Sequence, residues 1–242
     1  MILEGLHKAT HVTCISEATR RDVLRLTRRS EKSVSCIYLG IEPIFESGFV
    51  QGSYAEGTSA FRVSPSAAGS KGNYILHVGS DVWYKNRQGV LLIYNEVRNR
   101  LGSESPDLVM VGPSLGSETA GVHFMQAVTD AKLAGLYRRA ALLLFPSLYE
   151  GFGWPVVEAQ ACGCPVVITG APPLTEAGGN SASWIKDPQD VGAAAEQVIN
   201  VLKEDPRARK DRVLAGRRHA SRFSRDRMIA RYLELYASIL RQ

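Results

Sequence analysis

Ala141-Leu142-Leu143-Leu144-Phe145-Pro146-Ser147-Leu148-Tyr149-Glu150-Gly151-Phe152-Gly153-Trp154-Pro155-Val156-Val157-Glu158-Ala159-Gln160-Ala161 changes character twice. Residues 141–145 are continuously apolar and stop at Pro146-Ser147, the pattern of a short strand buried on both faces. Pro155 suits the first turn of a helix, which the following residues extend over 155–161. Between the two, 148–153 is a glycine-containing loop at the carboxyl end of the strand. A buried strand that passes through a short loop into a helix is one half of a βαβ unit.

The flanking sequence repeats this alternation. Leu133, Leu136, Tyr137 and Ala140 fall on one face of a helix over 130–140, and 165–168 reads as the next strand. Strands are expected at 74–78 and 108–111, with an amphipathic helix over 88–100 between them and a short strand at 123–128. Helices are expected at 190–202, 207–223 and 225–240. Near the start, 12–15 and 34–39 read as strands around a helix that begins at Ser16. Residues 46–72, rich in Ser, Gly and Ala without a period, read as a flexible linker. Short apolar strands alternating with helices predict an α/β fold, a doubly wound parallel sheet covered on both faces. Ligands of such folds sit beyond the carboxyl ends of the strands.

With 242 residues, 45% of them hydrophobic, the chain can bury one large core, or one domain with part of another. Its apolar runs are too short to span a bilayer, and Met1-Ile2-Leu3-Glu4 lacks the features of a secretory signal, so a cytoplasmic location is expected. Cys162-Gly163-Cys164 has one residue where zinc and redox pairs have two; the pair reads as small core thiols, and no metal site is expected. The net charge of +5 reflects arginines concentrated after 206. Asp205 and Asp211 are mixed among them and no Phe, Tyr or Trp interleaves from 207 to 222. This favours solvated helices over a nucleic-acid surface, with weak attraction to a membrane surface as the second reading.

The chemistry-bearing residues cluster in the opening stretch. Gly151 and Gly153 let backbone N–H groups approach a ligand closely, and the helix start near Pro155 attracts phosphate. Glu150 faces the pocket from the loop and Glu158 from the helix. Carboxylates are good acceptors for paired sugar hydroxyls. The same residues also suit a plain turn before a surface helix with two solvated acids.

Glu150 and Glu158, set within Pro146-Ser147-Leu148-Tyr149-Glu150-Gly151-Phe152-Gly153-Trp154-Pro155-Val156-Val157-Glu158-Ala159 and followed by Ala161-Cys162-Gly163-Cys164-Pro165-Val166-Val167, resemble the signature of the retaining GT-B glycosyltransferases of family 4, glycosyl transferases group 1. Ser16-Glu17-Ala18-Thr19 with Arg21-Asp22-Val23 resembles that family's last N-domain strand and helix, and Tyr38-Leu39-Gly40-Ile41-Glu42 its hinge. Tyr74-Ile75-Leu76-His77-Val78-Gly79 followed by Lys85-Asn86 is similar to its first C-domain strand and phosphate loop. Leu136-Tyr137, Arg139-Ala140 and Leu174-Thr175-Glu176 also fit.

The resemblance implies a Rossmann-like C-terminal half of a GT-B fold. Residues 1–45 are then a remnant of the N-terminal acceptor domain with the hinge, 46–72 a linker, 73–224 the nucleotide-sugar-binding domain and 225–242 a C-terminal helix. It implies that Lys85 neutralises the donor diphosphate and that Glu150 contacts the donor sugar, making these two the catalytic candidates. Glu158 holds the ribose hydroxyls. Gly79, Ser80, Asn86, Gly112, Gly151, Phe152 and Gly153 complete the donor site, with Val128 packing beside the base. The implied partners are a nucleotide-diphosphate sugar (GDP-mannose or a UDP-hexose), a glycan or lipid-linked acceptor, and an N-terminal half outside this sequence. No metal or other cofactor, no nucleic acid, and at most peripheral contact with the inner membrane surface are implied. Two positions depart from the family pattern: Ser80 stands where an arginine is usual, and Gln126 where a glycine is usual. The alternative is a non-catalytic nucleotide-sugar-binding or interaction module. A dinucleotide oxidoreductase is disfavoured, because no G-x-G-x-x-G follows residues 74–78.

Overall fold

The computed structural model describes residues 2–46, 74–114 and 120–241. The linker expected at 46–72 therefore lies, apart from Glu46, outside the described residues. The chain begins with α1 (Ile2–Lys8), β1 (Val12–Cys14), α2 (Glu17–Thr27) and β2 (Val34–Cys36). It continues with β3 (Tyr74–Val78), α3 (Arg87–Leu101), β4 (Asp107–Val111), β5 (Val122–Met125), α4 (Asp130–Arg139), β6 (Leu142–Phe145) and α5 (Trp154–Ala161). The remaining elements are β7 (Val166–Thr169), α6 (Leu174–Gly178), β8 (Ser183–Ile185), α7 (Val191–Leu202), α8 (Pro206–Ala220) and α9 (Arg225–Ile239).

Strands β3 to β8 form one parallel sheet in the order β5-β4-β3-β6-β7-β8. Alternate side chains of each strand enter two different cores, as the two-residue repeat of a strand requires. Ile75, Leu108, Leu142, Leu144 and Val167 pack under α3 and α7. Leu76, Val109, Leu143, Phe145 and Ile168 pack under α4 and α5. All four residues of β6 are fully buried, which is why that stretch is apolar without alternation. The edge strand is shorter than the 123–128 expected: β5 ends at Met125, and Ala127 takes a left-handed φ of 50°. Cys162 and Cys164 are buried, and burial pushes the Cys162 thiol up to about 12. Arg209 and Arg212 turn inward, to the Ala141 carbonyl and to Glu204, so part of the late basic cluster serves the fold. Among the described residues no helix is long and apolar enough to cross a membrane. Helix α9 has no buried residue and leaves Ile229, Leu233 and Tyr236 exposed.

Strands β1 and β2 form a separate two-stranded parallel sheet. Glu176 ties this segment to the larger sheet. Its carboxylate accepts from the Glu17 and Ala18 backbone N–H groups, both at 2.8 Å, and from the Tyr38 hydroxyl at 3.0 Å. The two amides open helix α2, where unpaired N–H groups and the helix dipole both favour an anion. Glu176→Ala is expected to cost about 2 kcal/mol in urea denaturation and to speed hydrogen exchange at Glu17 and Ala18. Unchanged exchange at those two amides would show that the carboxylate does not hold the helix.

Candidate functional site

In chain order the sheet runs outward from β3 through β4 to β5, then returns to β6 on the other side of β3. The switch point therefore lies between β3 and β6, whose following loops lead to helices on opposite faces of the sheet, α3 on one and α5 on the other. These loops carry Lys85 and Glu150. They are stapled together: the Leu148 N–H donates to the Tyr84 carbonyl at 2.8 Å, and Asn86 Nδ2 donates to the Pro146 carbonyl at 3.1 Å. Asn86 adopts a left-handed φ of 52°, which Asn tolerates better than most residues and which turns the chain directly into α3.

Between the two loops Lys85 Nζ donates to Glu150 Oε1 at 2.7 Å. The Lys85 and Glu150 side chains are 14% and 8% exposed. Lys85 Nζ also sits 5.0 Å from the centre of the Phe145 ring, whose face attracts a cation. A cavity of about 410 Å³ opens here, lined by Ile15, Leu39, Lys85, Glu150, residues 151–155 and Glu158. The structure thus brings Lys85, Glu150, Gly151, Phe152, Gly153 and Glu158 to one cavity. A slightly larger cavity of about 470 Å³ lies between β2 and α9, lined by Arg222, Arg227 and Arg231. None of the β3 or β6 loop residues line it, so position at the switch point, rather than size, marks the site.

Each loop residue has a distinct setting. Gly153 is left-handed, with φ of 104°, and caps α5; a Cβ there would lie 2.7 Å from Leu174. Pro155 leaves the second helical position of α5 without a donor, so the amides that can face a ligand precede it. The Phe152 side chain faces the core, packed against Tyr38 and Phe223, which leaves its backbone to the cavity. Glu158 Oε2 accepts from the Tyr137 hydroxyl at 3.0 Å. Burial pushes the Glu158 carboxyl up to about 7, against the hydrogen bond from Tyr137 and with the charge of Asp130.

Gly79, Ser80, Asn86, Gly112 and Val128 stand outside this lining. Ser80 is exposed, and Val128 packs beside the α4 and α5 core. Gly79 and Gly112 meet where the β3 and β4 loops touch. Gly112 has φ of 135°, and a Cβ on it would lie 2.1 Å from the Gly79 carbonyl oxygen. Arg87, which sequence reasoning missed, locks this contact. Its buried guanidinium donates to the Gly79 and Pro113 carbonyls. Desolvation holds it below the usual arginine range, with Asp81 acting the other way. Ile15 and Leu39, which line the cavity from the β1–β2 segment, were missed as well. Only the position of Arg87, two residues after Lys85, could have drawn attention to it.

Residues 72–204, more than half of the chain, match the profile of the family described as Glycosyl transferases group 1. The chain belongs to this family. Among curated proteins, this group 1 member is 33% identical over 144 residues to O-antigen chain mannosyltransferase B of Escherichia coli, covering 54% of this chain and 37% of that protein. It is 36% identical over 129 residues to the D-inositol 3-phosphate glycosyltransferase of Salinispora arenicola, covering 53% of this chain and 29% of that one. The chain therefore spans about a third of the length of these relatives. In fold it is similar to a glycosyltransferase from Rickettsia africae, with a TM-score of 0.77 at 17% identity, over 99% of this chain and 67% of that one. It is also similar to the pneumococcal O-GlcNAc transferase GtfA in complex with UDP and GlcNAc, with a TM-score of 0.73 at 11% identity, over 99% of this chain and 47% of that one. The expected doubly wound sheet of GT-B type is the fold observed.

Proposed function

We propose that this group 1 glycosyltransferase chain binds a nucleotide-diphosphate sugar at the β3–β6 switch point. Its sugar passes to a hydroxyl of a glycan, lipid or other acceptor with retention of anomeric configuration, as in family 4. One observation carries the reading: Lys85, Glu150 and Glu158, from three different elements, line a single cavity where the strand order reverses. The relatedness to a mannosyltransferase supports a GDP-mannose or similar hexose donor.

In this reading Lys85 faces the diphosphate, whose negative charge grows as the bond to the sugar breaks. A fixed cation stabilises that charge more than it stabilises the bound donor. The backbone amides of 151–154 and the start of α5 add partial positive charge. Glu150 orients the sugar through its hydroxyls, and Glu158 accepts from the ribose. No side chain is assigned as a covalent nucleophile; the acceptor hydroxyl attacks from the face that the diphosphate leaves. In this proposal the protein uses no metal or other cofactor and works in the cytoplasm, with at most peripheral contact with the inner membrane.

Glu158 supplies the test. Ribose hydroxyls donate to an ionised carboxylate, so donor binding lowers a carboxyl value that burial has raised to about 7. Near pH 7, binding should therefore expel up to about half a proton. Calorimetry with GDP-mannose and UDP-glucose in buffers of different ionisation enthalpy measures this, because neither intact donor titrates there. Wild type should release the proton and Glu158→Gln should not, with affinity in wild type rising from pH 6 to 8. Absence of any buffer dependence in wild type would exclude the ribose role. The sign for the fold alone is opposite. The protonated fold is favoured, fully so below the ordinary 4.5, and that stability is lost as pH rises through 7.

A further inference from the structure

We propose that Lys85 and Glu150 exchange partners when a donor binds, so that the site selects an intact nucleotide sugar over the bare nucleoside diphosphate. The inference rests on the donor-binding reading above. In the structure each group satisfies the other at 2.7 Å, and both are largely withdrawn from water. The cation assigned to the diphosphate is thus already held by the carboxylate assigned to the sugar.

The two ligands ask different things of this pair. A bare nucleoside diphosphate offers oxygens to Lys85 but no donor to Glu150. If it takes Lys85, a buried carboxylate loses its cation and faces another anion, the arrangement most penalised at low dielectric. An intact nucleotide sugar brings both halves, diphosphate oxygens for Lys85 and hydroxyl donors for Glu150, so neither buried charge is left unpaired. After the sugar has left, Glu150 has no hydroxyl partner and reclaims Lys85, which loosens the remaining diphosphate. Glu150 is in this sense a specificity-determining residue as well as a sugar contact, and the same ion pair assists product release.

The test is calorimetry on the full chain with two matched pairs of probes, GDP-mannose with GDP and UDP-glucose with UDP. For the pair that binds, wild type should prefer the intact donor by about tenfold, an electrostatic difference of ordinary size for a charge-assisted contact. Glu150→Gln keeps the shape and removes the competing charge. It should tighten the bare diphosphate about tenfold without tightening the intact donor, so that the preference collapses. The idea is overturned if wild type binds the bare diphosphate as tightly as the intact donor, a result that needs no variant. It is also overturned if Glu150→Gln, folded by circular dichroism, leaves the preference unchanged. A wild-type chain that binds none of the four probes would instead sink the donor-binding reading itself.

Discussion

Lys85→Met is expected to weaken binding of an intact nucleotide sugar about thirtyfold, roughly 2 kcal/mol, while the matching nucleoside binds within about twofold of wild type. Methionine keeps an apolar stem of similar length but removes the ammonium that sits 5.0 Å from the centre of the Phe145 ring. The loss should therefore fall on the diphosphate alone. A second consequence is built into the geometry. With the cation gone, the 8%-exposed Glu150 carboxylate has lost the partner at 2.7 Å, and the fold should become less stable by about 3 kcal/mol. Adding Glu150→Gln should restore much of that stability without restoring diphosphate binding, which separates damage to the fold from loss of a phosphate contact. Calorimetry with nucleoside and nucleotide sugar, paired with urea denaturation, reads both effects. Equal losses for nucleoside and nucleotide sugar would mean that Lys85 shapes the cavity without meeting the diphosphate.

Among the glycines of the described residues, Gly112→Ala should be the most destabilising change, at about 3–5 kcal/mol against a typical domain stability of about 5–15 kcal/mol. The new Cβ would lie 2.1 Å from the Gly79 carbonyl oxygen and 2.2 Å from Arg87 Nη1, at a φ of 135° that side chains rarely adopt. The first neighbour is backbone and cannot swing away. The second is a buried guanidinium whose bonds to the Gly79 and Pro113 carbonyls hold two strand ends together. The alanine must therefore part the β3 and β4 loops and leave buried polar groups unmatched. Gly135→Ala in α4 is the control: its nearest neighbour is Arg139 Nη2 at 3.9 Å, so the change should be neutral or stabilise by about 1 kcal/mol through helix propensity. Urea denaturation of the two variants decides the matter. A Gly112→Ala protein within about 1 kcal/mol of wild type would mean that the loop contact is loose.

Local chemistry made much of this fold legible. The unbroken apolar residues of β6, the apolar start of β3 at Tyr74-Ile75-Leu76 and the proline in the first turn of α5 mark their elements directly, because burial and a fixed φ act on the residue that carries them. The doubly wound class follows from their alternation. Pairings between distant residues were not legible. Lys85 and Glu150 are 65 positions apart, and only the return of β6 to the side of β3 brings them together. Arg87 reads as an ordinary surface cation at a helix start; it is buried because two carbonyls from separate loops converge on it. Strand β8, Ser183–Ile185, is three residues long, too short for an alternating pattern, and exists through its ladder with β7. Helix α1 is seven residues long, too short for a periodic pattern. For the candidate site, the glycine-rich loop and the two glutamates were readable, while the wall supplied by Ile15 and Leu39 depends on how the β1–β2 segment docks through Glu176.

Amide hydrogen exchange of the chain, with and without a saturating excess of the tightest-binding donor, tests most directly whether a nucleotide sugar sits at the β3–β6 switch point. Slowed exchange is expected in the two loops, at 79–86 and 148–154, and in the first turn of α5, with little change in α8 and α9. Protection confined to the cavity between β2 and α9, or none at either loop under saturation, would contradict it.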